Sequence, residues 1–433
     1  MPAAIDKRRA WLVVGMLFFF MFVNFADKIV LGVTAPSLMH DMNISPSRYG
    51  YLASAFFVTF VASAIPVGLL SNRISNKLLL GIMAAIWAAT QLPMIVPTTF
   101  GILLTSRVVL GAAEGPTTMS AQQAVYKWFP NHERTLPASI MNQLGSSTGI
   151  LVAAPLLTWI THTYSWHAAF GTLAVIGAVW CVLWAIIGKD GPIDAVDTSS
   201  AAPAKQSPVS YVLILRKRTF IGALCCGFAA YWGITLLTTW GINFFVKSLH
   251  YAPSSASWLV SLVAAGGAVC GLGGGWLSQI MSLRGWSSRA SRGLMVGVVT
   301  VISGICVVLM THVASSVLQI ALFVAAFSVT STVYTPCYAM IAEICLPSQR
   351  GGAFGIFTAL MCCGGIAAPS VMGLAVEYGG GYSAGFLVTG LMTVAAGIVG
   401  LLNLNPERDR DRPDAAHDSA MIESGLQPSA GIE

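Results

Sequence analysis

Runs of apolar residues long enough to cross a bilayer recur along the whole chain, and no other feature limits its fold so strongly. The first reads WLVVGMLFFFMFV from Trp11 and continues past Asp27 and Lys28 to Pro36. Runs of this kind are centred near residues 24, 60, 86, 111, 148, 177, 232, 268, 301, 328, 363 and 392. A helix of about 20 apolar residues spans a hydrocarbon core of about 30 Å. In that solvent each backbone polar group must be satisfied internally, so such runs must be helices. Charged residues make up 9% of the 433, far below the roughly 25% of soluble domains, which excludes an ordinary globular enzyme. The expectation is an all-α polytopic membrane protein with twelve transmembrane helices.

Basic residues orient the helices. With the N-terminus inside, the inner segments hold 19 of the 23 Lys and Arg, and the outer loops keep only Arg48 and Lys247. Such a bias places both termini in the cytoplasm. It also accounts for the net charge of +6, which therefore points to no nucleic-acid partner. The Lys7-Arg8-Arg9 start resembles a signal peptide, but the run is too long and carries Asp27, so it reads as a retained first helix. The nine cysteines lie in or beside the spans without metal spacing and read as small packing residues.

One long polar stretch, 189–217, divides the chain into a bundle of six helices at 1–188 and another at 218–405, followed by a disordered tail at 406–433. The halves repeat. FPNHERTLPA leads into NQLGSSTGILVAAPLL in the first, and LPSQRGGA leads into TALMCCGGIAAPSVMG in the second. Aligning Arg134 with Arg350, and Pro155 with Pro369, gives offsets of 216 and 214 residues. Duplicated six-helix halves are the architecture of many secondary transporters, with the substrate held at the midplane between them.

Four charges sit deep in the spans: Asp27, Lys28, Arg107 and Glu114. In RVVLGAAEGP, Arg107, Gly111 and Glu114 share one helix face at i, i+4 and i+7, and Gly115-Pro116 weakens the helix beyond them. At about 1.5 Å per residue the two cations fall at similar depth, with a carboxylate on either side. Two readings stand. In one, the charges form a structural network, Asp27 bonded to a cation and Glu114 to Arg107. In the other they line a substrate and proton path, as intramembrane ionisable groups usually do. The cations would then bind a carboxylate, while a carboxyl removed from water favours its neutral form and can load and release a proton.

The run N-F-A-D-K at 24–28, the R-x6-E-G-P run at 107–116, the loop K-W-F-P-N-H-E-R at 127–134 and Gln143 together resemble the major facilitator superfamily. Within it they resemble the anion:cation symporters, which include galactonate, glucarate and phthalate permeases and sialin-type carriers. The resemblance implies that Asp27 and Glu114 couple protons, that Lys28 meets the substrate carboxylate, that Arg107 modulates the carboxylates and that Gln143 hydrogen-bonds substrate. The chain departs from the pattern at Asn72, where an aspartate is usual, and at Phe60 and Cys362, where sugar-acid carriers tend to have tyrosine and an amide. These last two suit an acid with fewer hydroxyls than a sugar acid.

From the second half, Tyr231 and Trp240 are taken as substrate-binding residues, with Trp232, Thr235, Tyr334 and Tyr338 as further candidates and Glu343 with Arg350 as an interfacial pair. The functional expectation is a proton-coupled symporter importing a small organic acid across a bacterial inner membrane, monomeric and without a cofactor beyond the proton. The alternatives are an exchanger, uniporter or exporter on the same fold, or a non-transporting receptor. No Ser/His/Asp set, metal spacing or phosphate loop suggests an enzyme.

Overall fold

A computed structural model describes residues 6–70, 74–129, 133, 135–192, 211–345 and 349–410. Asn72, Arg134, the centre of the long linker and the tail from 411 lie outside the described residues. The chain is all-helical, with no strand among the described residues. In order the helices are α1 (Lys7–Asp41), α2 (Pro46–Leu70), α3 (Asn76–Gln91), α4 (Phe100–Glu114), α5 (Thr117–Tyr126), α6 (Thr135–Ser139), α7 (Gly145–Thr163) and α8 (Trp166–Ile187). After the linker come α9 (Tyr211–Arg216), α10 (Arg218–Lys247), α11 (Pro253–Leu283), α12 (Met295–His312), α13 (Ser316–Val329), α14 (Tyr334–Glu343), α15 (Arg350–Tyr378), α16 (Tyr382–Asn403) and α17 (Pro406–Asp409). Among the described residues, ten helical stretches are long and apolar enough to cross a membrane.

Short polar side chains set several helix starts. Asp6, Ser75, Thr99 and Ser165 each accept a hydrogen bond from an otherwise unpaired backbone N–H of the following first turn. Breaks fall where the sequence weakens the helix. Gly115-Pro116 separates α4 from α5, as the sequence predicts, and a tight turn at Thr330–Thr332 separates α13 from α14. A π-helical turn at Ile140–Leu144 carries Gln143 into α7.

Large apolar side chains cover much of the exterior. Trp159, Ile186, Val269 and Leu402 point outward, with Ile186 72% exposed, a surface suited to lipid. Inside, α1 packs along α7 and α10, α2 along α4 and α15, and α11 along α7. Glycine makes two of these approaches possible: a Cβ on Gly32 would overlap the Thr238 carbonyl oxygen of α10, and one on Gly111 the Phe56 carbonyl oxygen of α2. Residues from the two halves are thereby interlocked around α1, α2, α10 and α15.

At the end of the molecule that holds the α1–α2 turn, polar bonds tie the two sequence halves together. The Tyr49 hydroxyl lies 2.7 Å from the Thr239 carbonyl and 3.1 Å from that of Leu31. Ser47 donates its N–H to Glu377 at 2.8 Å, and Ser54 and Ser370 share a bond of 2.7 Å. Ser261 donates to the Leu151 carbonyl at 2.9 Å. The expected Glu343–Arg350 pair is not formed. Glu343 pairs with Arg292 and accepts from Ser288, while Arg350 donates to the Ala342 carbonyl. Arg292 comes from the turn before α12, a neighbour that no spacing along the chain reveals.

Candidate functional site

The four deep charges converge, because α4 lies beside α2 and its Arg107-to-Glu114 face turns toward α1. Asp27, Arg107 and Glu114 are buried, and only 11% of the Lys28 side chain is exposed. Glu114 Oε2 stands 3.6 Å from Lys28 Nζ, an ion pair between α1 and α4. Lys28 also donates to Asn24 Oδ1 at 2.7 Å, one helical turn back, and Asn24 in turn faces Glu114. The rings of Phe25 and Phe60 flank the ammonium, with their centroids 4.4 and 5.1 Å away.

The pairing differs from the structural network read from the sequence. Arg107 does not take Glu114. Its Nη1 donates to the main-chain carbonyl of Asp27 at 3.4 Å, and its guanidinium lies 5.1 Å from the Phe170 ring centroid. The Asp27 carboxylate instead accepts from Gln91 Nε2 at 2.9 Å. A cation thus braces the helix backbone at Asp27, while a neutral amide from α3 holds the side chain.

The second half reaches the same place. The Cys362 thiol of α15 lies near the Tyr231 hydroxyl of α10 and faces Lys28. The Tyr231 ring meets that of Phe57 edge-on at 6.1 Å, and a Cβ on Gly365 would crowd both. Phe60 and Cys362, two of the three departures noted in the sequence, therefore both border Lys28.

The other sequence candidates lie elsewhere. Gln143 turns its amide toward Gly271 of α11, beside Ser331. Trp240 is wholly buried, meets Tyr49 edge-on at 4.8 Å and donates Nε1–H to the Pro369 carbonyl at 3.2 Å, next to the polar bonds that join the halves. Trp232 donates to Thr389 at 3.1 Å. Tyr338 and Thr358 share a bond of 2.7 Å. Sequence reasoning missed Asn24, Gln91 and Phe170. Asn24 could have been found from its place four residues before Lys28. For Gln91 the signal was slight, a lone amide at the end of an apolar helix.

The arrangement offers one cation that can exchange an internal counter-ion for a foreign anion, and two buried carboxyls within its field. Among the described residues no group of three or more His, Cys, Asp and Glu could hold a metal.

Comparison with known proteins gives the family. The model of the Major Facilitator Superfamily matches residues 17–285 and again 238–429. A probable galactarate/D-glucarate transporter of Bacillus subtilis is 24% identical, over 94% of this chain and 94% of that protein. A hexuronate transporter of the same organism is 24% identical, over 90% of this chain and 94% of its own. Among solved structures, a bacterial homolog of the human lysosomal transporter Spinster superposes with a TM-score of 0.77 at 16% identity, over 94% of this chain and all of that one.

Proposed function

Because the chain belongs to the major facilitator superfamily, a family of membrane transporters and not of enzymes, we propose that it is a proton-coupled symporter for a small organic carboxylate. It would work by alternating access as a monomer in a bacterial inner membrane. In this reading α1–α8 form one six-span bundle, 1–188, and α10–α16 another, 218–405. Twelve spans result, with α4–α5 and α13–α14 counted as one broken span each. The linker 189–217, the tail 406–433 and both termini are cytoplasmic, so the end closed by Tyr49 is the outer one.

The observation that carries the reading is the Lys28–Glu114 pair, bordered by Phe60 of the first half and by Cys362 and Tyr231 of the second. Protonation of Glu114 removes the counter-ion of Lys28. A substrate carboxylate entering between the halves replaces it, so proton and anion load together. Asp27 carries the second exchangeable proton. Arg107 holds the α1 backbone at that level, and its cationic charge bears on both carboxyls. Release of substrate and protons on the inner side restores the Lys28–Glu114 pair and lets the empty carrier return. Tyr231 stands at the substrate's flank, while Gln143 and Trp240 contribute from the contact between the halves. The sugar-acid names of the relatives support a carboxylate, and the rings beside Lys28 favour one with few hydroxyls.

Purified protein in liposomes tests this. A thermal-shift screen of organic acids identifies the ligand, and its uptake is then measured with and without an imposed pH gradient, acid outside. Accumulation should require the gradient. Equal uptake without it would replace symport with exchange or facilitated diffusion, and binding without flux would indicate a receptor.

A further inference from the structure

Gln91 is the last residue of α3, 2% exposed, and its amide nitrogen stands 2.9 Å from Asp27 Oδ1. Only the nitrogen of that amide can donate to a carboxylate, which fixes the end of the amide that faces α1. The position of Gln91 is held from two sides. One helical turn earlier, Trp87 stacks on Phe20 of α1 with ring centroids 4.5 Å apart, and Phe20 lies two turns before Asp27. Beyond Gln91 the chain tightens into the turn Leu92–Met94, whose Met94 carbonyl is bonded to His167 Nδ1 at 2.7 Å. Such bracing on a buried side chain costs rotamer freedom in advance, so the amide meets Asp27 in one geometry.

The surroundings of Asp27 make this amide distinctive. On α1 its charged neighbour is Lys28; α4 brings Arg107 and Glu114; α2 brings Tyr49, which faces Arg107, with Arg48 nearer its start. α7, α8 and α10 also pack on α1. Their titratable side chains are His162, His167, Cys181, Cys225, Cys226 and Tyr231, with Arg218 and Lys247 at the ends of α10. Lys28 takes Glu114 and Asn24, and Arg107 takes the Asp27 carbonyl, so the bonded partner of the carboxyl itself is neutral. A neutral donor to Oδ1 can stay bonded in both charge states, to the carboxylate and to the carbonyl oxygen of the acid, and it binds the carboxylate the more strongly.

We propose that Gln91 is the positioning residue for Asp27: by occupying Oδ1 in both charge states it leaves Oδ2 as the one oxygen that takes up and releases the proton. Loading adds a proton to Oδ2, breaks no bond to Gln91 and requires no turn of the carboxyl. This rests on Asp27 being a proton carrier, and its test needs no substrate.

Infrared difference spectra of the protein in lipid, recorded across pH, isolate the C=O band of the protonated carboxyl, assigned to Asp27 by its loss in Asp27→Asn. In Gln91→Met, similar in volume but without a donor, the band should move to higher wavenumber and its midpoint should shift by about one pH unit. Gln91→Asn, whose amide is one methylene too short, should behave alike and serves if the first variant does not fold by circular dichroism. A band unchanged in wavenumber and midpoint in the variants overturns the role of Gln91 alone. A wild type with no Asp27-dependent band overturns it too, and with it proton carriage by Asp27.

Discussion

Lys28 and Glu114 stand 3.6 Å apart with Glu114 wholly buried, so each is the internal counter-ion of the other. Removing one partner of such a pair strands a charge, while removing both need not be costly. Glu114→Leu should destabilise the protein by about 3 kcal/mol, and the double variant with Lys28→Met should recover most of that loss. Thermal unfolding in detergent, arranged as a double-mutant cycle, measures the coupling.

Asp27→Asn and Glu114→Gln each remove a site for a proton while keeping the side chain's size. Both should abolish accumulation driven by a pH gradient. Counterflow exchange, which moves no net proton, should survive in at least one. Uptake and exchange assays on the same liposome preparations compare the two, and a variant that still accumulates substrate identifies its carboxyl as structural.

In the wild type the coupling has a definite sign. Initial uptake should rise as the outer pH falls at constant inner pH, and should fade when an uncoupler dissipates the gradient. Radiolabelled uptake over a series of outer pH values gives the profile, which should be flat in Glu114→Gln.

Lys28→Ala should remove the thermal stabilisation conferred by the substrate, a loss of at least about tenfold in affinity for one charge-assisted contact. Lys28→Arg should retain part of it, since charge persists while reach and shape change. Titration by thermal shift distinguishes the two.

Tyr49→Phe deletes a hydroxyl that bonds across the halves to the Thr239 carbonyl at 2.7 Å. One hydrogen bond of about 1 kcal/mol should shift the equilibrium about fivefold toward opening at that end. A fluorescent pair across the α1–α2 and α10–α11 turns reports the change in distance distribution.

Much of the architecture could be read from single residues. Asp6, Ser75, Thr99 and Ser165 stand just before helices and cap them, and Pro116 interrupts α4–α5 as its missing N–H requires. The four deep charges were visible as charges in lipid-length runs, and the structure gathers them into one site. Their partners were not visible. The sequence suggested Arg107 for Glu114 and Arg350 for Glu343; the structure has Lys28 and Arg292. Gln91 and Phe170 lie 64 and 63 residues from Asp27 and Arg107, and no periodicity links them.

The sequence by itself determined that the chain is a bundle of membrane-length helices with two cations and two carboxyls buried in its first half. In lipid an apolar run of about 20 residues satisfies its backbone as a helix, bonded within the segment, and a charge in such a run is recognisable without knowing its neighbours. Only the tertiary structure decided which charge meets which: Lys28 with Glu114, Arg107 with a backbone carbonyl, Asp27 with an amide. Pairing depends on distances of a few ångströms between helices. Those distances are set by close approaches such as Gly111 on Phe56 and Gly32 on Thr238, and helical spacing along one chain carries no record of them.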